Sequence, residues 1–215
     1  MQNSTTSSTA AGSIIRWPSL YDVLVPVLTL GRARVFREGA LDLARVSPGE
    51  HVLDVGCGTG QLALAAKRRV GTEGTVHDID AGAEMVASAR QKAARAGLEV
   101  TIAVAPAQAL PFEDGAFDLV LCTLMMHHLP RDGRKQAIRE MRRVLRPKGR
   151  LLILDLAQEK GFLASLNPIA LVHGHKGMQT AREAEALMRD AGFTAVVAGR
   201  TANRAVGYAL GTQMP

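Results

Sequence analysis

Short apolar runs recur between stretches of helical spacing, and no other feature of the chain limits its fold so sharply. HVLDV (51–55), GTVHDID (74–80), EVTIAV (99–104), FDLVLCT (117–123) and GRLLILDL (149–156) each read as a strand bounded by turn residues. Between them, residues 61–69, 83–96 and about 133–145 carry apolar residues at helical intervals. Strands that alternate with helices at this spacing predict an α/β fold, a mostly parallel sheet covered on both faces. With 215 residues, 47% of them hydrophobic and 21% charged, the chain has the length and composition for one globular domain.

The ends depart from this rhythm. Residues 1–12, MQNSTTSSTAAG, predict a flexible tail and lack the basic and apolar regions of a secretory signal. Residues 13–46 predict an N-terminal helical cap with Tyr21, Leu24, Val25 and Leu28 on one face, a kink at Pro26 and a second helix over about 32–45. The main domain runs from 47 to 215. Within it, 157–179 is an irregular insertion after a strand end, where open parallel sheets build binding sites. A helix then opens on a Thr180/Glu183 capping box, buries Ala184, Leu187, Met188 and Ala191, and stops at Gly192. Two strands, about 194–199 and 204–211, close the chain as an antiparallel edge. The apolar run VLVPVLTL is too short to span a bilayer, and Cys57 and Cys122 suit a reducing compartment, so a cytoplasmic protein is expected.

VLDVGCGTG (52–60) leads a strand into a glycine-rich turn and a helix, the first unit of a Rossmann-like fold. Gly56, Gly58 and Gly60 give G-x-G-x-G, and Gln61 stands where the dinucleotide fingerprint requires glycine. A dinucleotide is therefore disfavoured, as is a nicotinamide dehydrogenase. No Gly-Lys-Ser/Thr follows, which excludes a Walker A phosphate loop. Asp80 ends the second strand, where a carboxylate accepts from both hydroxyls of a ribose; Asp78, on the same strand face, is the weaker candidate. Together these features favour a nucleoside ligand.

VLDVGCGTG, HDIDAGAEMVASAR, ALPFEDGAFDLVLC, MMHHLP and EMRRVLRPKGRLLILD occur in an order that resembles class I S-adenosylmethionine-dependent methyltransferases. The likeness is strongest to the branch with the ubiquinone/menaquinone-biosynthesis C-methyltransferases and many small-molecule and lipid methyltransferases. It covers about residues 50–156. It implies a seven-stranded, mostly parallel sheet with an antiparallel C-terminal hairpin and helices on both faces, and S-adenosylmethionine as cofactor. Carried over by position, the resemblance gives Asp54 and the loop of Gly56, Cys57, Gly58 and Gly60 to the methionine end of the cofactor, and Asp80 to the ribose. Cys122 and Thr123 fall near the sulfonium, and Tyr21 folds over the cofactor mouth, where an aromatic ring makes a cation–π contact. Residues 105–108 flank the adenine. Relatives often carry a Gly-Asp-Ala triplet there, whereas this chain has Pro106, which shifts adenine recognition to the Ala107 amide or Gln108.

Methyl transfer from a sulfonium removes a positive charge, so alignment does most of the work and a base is needed only where the nucleophile must lose a proton. His127 and His128 follow the fourth strand and are the candidate bases; the alternative is that they orient the loop. His173 and His175 lack a third ligand, so no metal site is expected. The basic run RDGRKQAIREMRRVLRPKGR carries an apolar stripe of Ala137, Ile138, Met141, Val144 and Leu145, which makes its arginines a solvated face rather than a nucleic-acid patch. The Asp/Asn-Pro-Pro-Tyr/Phe motif of base methylation is absent, and 4% aromatic content supplies few stacking platforms. The expected partner is a small-molecule or lipid acceptor, with no nucleic acid and at most peripheral membrane contact; the oligomeric state stays open. The alternative is a non-methylating protein that binds S-adenosylmethionine, or a pericyclase-like enzyme on the same fold.

Overall fold

The computed structural model describes residues 32–157, 180–202 and 206–214. In chain order they form α1 (Ala33–Leu43), β1 (His51–Val55), α2 (Gln61–Val70), β2 (Thr75–Asp80), α3 (Ala83–Ala96), β3 (Thr101–Val104), β4 (Phe117–Thr123), a 3-10 turn (Met126–His128), α4 (Arg131–Arg143), β5 (Leu145–Leu156), α5 (Thr180–Asp190), β6 (Phe193–Arg200) and β7 (Val206–Gln213). The seven strands make one sheet in the order β3-β2-β1-β4-β5-β7-β6. The first five are parallel, and β7 runs antiparallel to both β5 and β6. The chain leaves β1 toward β2 and β3, then crosses to β4 on its other side. That reversal opens a crevice at the carboxyl ends of β1 and β4.

Burial on both faces explains why the central runs, in β1, β4 and β5, are apolar at successive positions instead of alternating with polar residues. Leu53, Val55, Val120, Cys122, Leu151 and Ile153 pack with Ala137, Ile138 and Met141 of α4 and Ala184, Leu187 and Met188 of α5. Their neighbours Val52, Leu119, Leu121, Leu152 and Leu154 join Ala40 and Leu41 of α1 and Leu62, Ala63 and Ala66 of α2 on the other face. Both faces are dry, as parallel sheets require. Glu38 and Asp42 of α1 also pair with Arg69 of α2, which ties the described part of the cap to that helix.

Two expectations change. β5 begins at Leu145, directly after α4, because the RPKG segment is a bulge within a strand rather than a loop before one: Phe117 pairs with Leu145, but Leu119 pairs with Arg150. Lys148 takes φ 67° there, and a Cβ on Gly149 would lie 2.8 Å from the Arg146 carbonyl oxygen. The apolar stripe of the basic run is buried as expected, yet several of its arginines are not a free solvated face. Arg143 pairs with Glu140 and Asp114 and donates to the Leu110 and Phe112 carbonyls, fastening the loop after β3. Arg134 reaches Glu183 of α5, whose carboxylate also pairs with Arg131; the Thr180 side chain of the expected capping box lies outside the described residues. The expected tail, the helix with Tyr21 and Pro26, most of the 157–179 insertion, His173 and His175 also lie outside them. No helix among the described residues is long and apolar enough to cross a membrane.

Candidate cofactor site and histidine pair

The turn after β1 is built from left-handed backbone. Gly56, Gly58 and Gly60 have φ of 76°, 55° and 76°, which L side chains rarely adopt. The Gly56 and Cys57 amides both donate to the Ile79 carbonyl of β2, at 2.8 and 3.1 Å, so the turn folds over the neighbouring strand. The space around it leaves no room for a side chain at Gly56 or Gly60. A Cβ on Gly56 would lie 2.2 Å from Met125 Cγ, and one on Gly60 would lie 2.8 Å from Ala89 Cβ and 3.2 Å from Asp78 Oδ2.

Three carboxylates lie against this turn. Asp80 accepts from the Gly58 amide on Oδ2 (2.9 Å) and from the Gly82 amide on Oδ1 (2.8 Å), so one side chain ties the glycine turn to the entry of α3. Burial raises its pKa, and the Gly82 and Gly58 amides pull it back. Each oxygen keeps a second lone pair for a ligand donor. The parallel register sets Asp54 directly beside Asp78 on the same side of the sheet, across one strand spacing of about 4.8 Å. Both are buried; among the described residues Asp54 Oδ2 has no hydrogen-bond partner, and the Asp78 carboxylate has none beyond the weak donor of the nearby Cys57 thiol. Burial first, then the Asp78 and Asp80 charges, hold the Asp54 carboxyl well above the ordinary range. Burial lifts Asp78 to about 7 against the opposing pull of the Cys57 thiol. The Cys57 thiol is itself pushed far up by burial and by Asp78 and Asp54, so it is no nucleophile. Unpartnered buried carboxylates are costly, and such groups mark functional sites.

The opposite wall follows β4. Cys122 is buried on the α4/α5 side with its thiol pushed up by burial, and Thr123 Oγ1 is buried without a hydrogen-bond partner among the described residues. Leu124 then adopts φ 53°, a left-handed conformation in a residue with a bulky side chain, while its amide donates to the Leu154 carbonyl at 2.8 Å. This bend lays Met125 over Gly56 and starts the turn that carries the histidines. His127 donates its backbone amide to Asp155 Oδ2 (3.0 Å) and sets Nδ1 2.7 Å from Asp155 Oδ1. The His128 ring lies alongside, 4.1 Å between centroids. Arg134 Nε bonds the Met126 carbonyl at 2.9 Å and steadies the turn from α4.

At the end of β3, the Ala105 amide donates to the Asp80 carbonyl (3.0 Å) and the Ala109 amide to the Pro106 carbonyl (3.1 Å), which folds the APAQ segment into a tight turn. Ala107 is buried there, and the Gln108 amide nitrogen lies against Gly133 in the first turn of α4. Asp54, Gly56, Cys57, Gly58, Gly60, Asp80, Ala107, Gln108, Cys122, Thr123, His127 and His128 thus all stand at or just beyond the carboxyl ends of β1, β2, β3 and β4. Tyr21 lies outside the described residues. Sequence reasoning missed Asp155 and Arg134. The only signal for Asp155 was an acid inside the apolar run LLILDL; Arg134 had none. The described residues include no cluster of three or more His, Cys, Asp or Glu side chains able to hold a metal.

Residues 52–149 match the family model described as a methyltransferase domain. The chain carries a class I S-adenosylmethionine-dependent methyltransferase domain. It is 37% identical over 138 residues to the ubiquinone/menaquinone biosynthesis C-methyltransferase of Laribacter hongkongensis, covering 64% of this chain and 56% of that protein. The chain therefore spans about half the length of the curated relatives it matches. Among solved structures it is similar to a SAM dependent methyltransferase from Aquifex aeolicus, with TM-score 0.71 and 24% identity over 92% of this chain and 99% of the other. It is also similar to the cyclase SpnF, with TM-score 0.69 and 23% identity over 85% and 82%. At those identities the structural likeness speaks for the fold, a seven-stranded Rossmann-like sheet.

S-adenosylmethionine is the cosubstrate of this family, and the methyltransferase domain has groups that fit it. A ligand with an ammonium and a sulfonium is complementary to three acids with unpartnered or half-used oxygens. The glycine turn leaves bare peptide against which a chain can lie.

Proposed function

We propose that this chain transfers a methyl group from S-adenosylmethionine to a small, apolar acceptor. The observation that carries the reading is the pair of buried carboxylates of Asp54 and Asp78 beneath the glycine turn, which meet no strong donor among the described residues and which a cationic amino-acid arm would complement. When bound, the cosubstrate supplies an electrophilic methyl on sulfur. The turn from Gly56 to Gly60, with Asp54 below it, holds the methionine end, and the spare lone pairs of Asp80 take the ribose hydroxyls. The Ala107 amide and Gln108 border the adenine, and Cys122 and Thr123 flank the reacting centre; Tyr21, outside the described residues, is assigned to the cofactor by the family resemblance alone. His127 and His128 face the acceptor side. Because charge is lost in the reaction, holding nucleophile and methyl in line supplies much of the acceleration.

The acceptor is a quinone precursor, a lipid amine or an apolar secondary metabolite; the relatives' printed role in ubiquinone and menaquinone biosynthesis supports the first. The test supplies the protein with donor labelled on the methyl group and a cell extract, then partitions the label between organic solvent, water and nucleic acid. Label in the organic phase with stoichiometric S-adenosylhomocysteine is expected. Tight binding of the donor with no S-adenosylhomocysteine formed would refute methyl transfer and favour a non-methylating or cyclase-like activity on this fold.

A further inference from the structure

Asp155 is fully buried on an otherwise apolar strand, yet it is satisfied. It accepts three N–H groups: the His127 amide on Oδ2 at 3.0 Å, and His127 Nδ1 and the Leu156 amide on Oδ1, both at 2.7 Å. Its side chain has no exposed surface, and that of His127 keeps only 7%. A carboxylate oxygen only accepts, so the imidazole proton must sit on Nδ1, and Nε2 becomes the basic nitrogen of the ring. The turn that carries this ring is fixed on two further sides. Arg134 holds the Met126 carbonyl and is itself paired to Glu183 of α5. Two residues before His127, Met125 rests on Gly56 of the cofactor turn. A buried acid is a costly way to brace a loop, since one acid whose N–H donors fall away is left stranded in the core. It is well suited to holding one tautomer and to balancing the charge of an imidazolium.

The geometry points to Asp155 as the positioning residue that sets the His127 tautomer, with Nε2 receiving a proton from the acceptor, and so to an acceptor whose nucleophilic atom bears a removable proton. A hydroxyl, an N–H or an acidic ring C–H meets that description. This assignment rests on the methyl-transfer reading above. In the balanced step the acceptor atom bonds to the methyl carbon with the electron pair it shared with its proton, that proton passes to Nε2, and the sulfur keeps the pair of the bond that breaks. The positive charge moves from sulfur to the imidazole, where Asp155 offsets it. The product is then an ether, a methylated ring or an uncharged amine. A tertiary amine or thioether has no proton to give, and its product would be permanently cationic.

The test has three readings on the full chain. Nitrogen-15 NMR with S-adenosylhomocysteine bound, the His127 ring assigned by comparison with His127→Asn, is expected to find the ring proton on Nδ1. Asp155→Asn should lose that preference, keep its S-adenosylhomocysteine affinity within about twofold, and transfer label from donor to extract at least about a hundredfold more slowly. The labelled product should carry no fixed positive charge on cation-exchange chromatography. A wild-type His127 protonated on Nε2 overturns the assignment whatever the variant does, so a variant that fails to fold still leaves it falsifiable. Wild-type transfer in a folded Asp155→Asn, or label in a permanently cationic product, overturns it equally. Donor binding with no S-adenosylhomocysteine formed refutes the methyl-transfer reading instead, and the tautomer measurement separates that failure from this one.

Discussion

Replacing Asp78 by asparagine should stabilise the protein, and by an amount that grows with pH. Burial lifts the Asp78 carboxyl from the ordinary range near 4 to about 7. Below pH 4 the group is protonated in folded and unfolded chains alike and contributes no difference. Between about 4 and 7 the folded state keeps a proton that the unfolded chain has released, so stability falls as pH rises, and above 7 the penalty is complete. Three pH units at 1.36 kcal/mol each give about 4 kcal/mol, an upper figure because water and backbone relaxation soften it. Asparagine has nearly the same shape and cannot ionise, and its amide can donate toward Asp54, the neighbour set by the β1/β2 register. Removing the Asp78 charge also relieves Asp54, whose carboxyl Asp78 pushes up after burial does. For a domain of this size about 4 kcal/mol corresponds to roughly 8–16 °C in Tm. Calorimetric melting of the free protein at pH 5, 6, 7 and 8 should therefore show Asp78→Asn overtaking the wild type by several degrees toward pH 8, with a much smaller gap at pH 5. The same variant should bind S-adenosylhomocysteine more weakly, since an anionic wall of the amino-acid pocket is lost. A gap in Tm that stays constant across the series would refute the reasoning, because only an ionisation held back by folding makes it depend on pH.

Two other positions make sharp tests. Gly56→Ala forces a residue into φ 76° and places a methyl 2.2 Å from Met125 Cγ, so it should cost about 1–3 kcal/mol of stability in denaturant titration and weaken S-adenosylhomocysteine binding at least about tenfold, an outcome contradicted if either quantity is unchanged. Asp80→Ala strands the Gly58 and Gly82 amides, so calorimetry should find cofactor binding weakened by about 1.5–3 kcal/mol with Tm lowered as well, whereas weaker binding at unaltered Tm would mean that the carboxylate touches only the sugar.

The sheet was legible because its signal is redundant. The central parallel strands β1, β4 and the later half of β5 are buried on both faces and appear as nearly continuous apolar runs, and the glycines of the first turn sit at backbone angles that few other residues tolerate. The site was legible in its chemistry and less so in its wiring. Asp80 stood out as an acid at a strand end, but its grip on Gly58 and Gly82 depends on how two loops meet, which no local pattern records. The β5 boundary was misplaced because Pro147 and Gly149 read as turn residues, and only pairing with β4 turns that stretch into a bulge. The arginines of α4 were misjudged for a related reason. Helical spacing assigns them to the outer face but cannot know that the loops carrying Leu110, Phe112 and Asp114 lie across that face and need donors. Asp155 was hidden because strand period alone cannot tell a buried acid with three donors from one that solvent reaches.

The bend at Leu124 links the two halves of the site. A left-handed conformation in a residue with a bulky side chain costs about 1–2 kcal/mol and persists only where its surroundings enforce it. Here the Leu124 amide is held by the Leu154 carbonyl of β5, one residue before Asp155, and the chain that follows must place Met125 on Gly56 and His127 on Asp155 within three residues. An extended Leu124 would swing Met125 off the glycine turn and draw the imidazole away from its carboxylate together. Packing Met125 on the cofactor turn and orienting the histidine therefore depend on the same local geometry. Substituting Leu124 by glycine would remove the cost of the bend and should raise Tm, whereas a β-branched residue there would raise that cost, oppose both contacts at once and lower Tm.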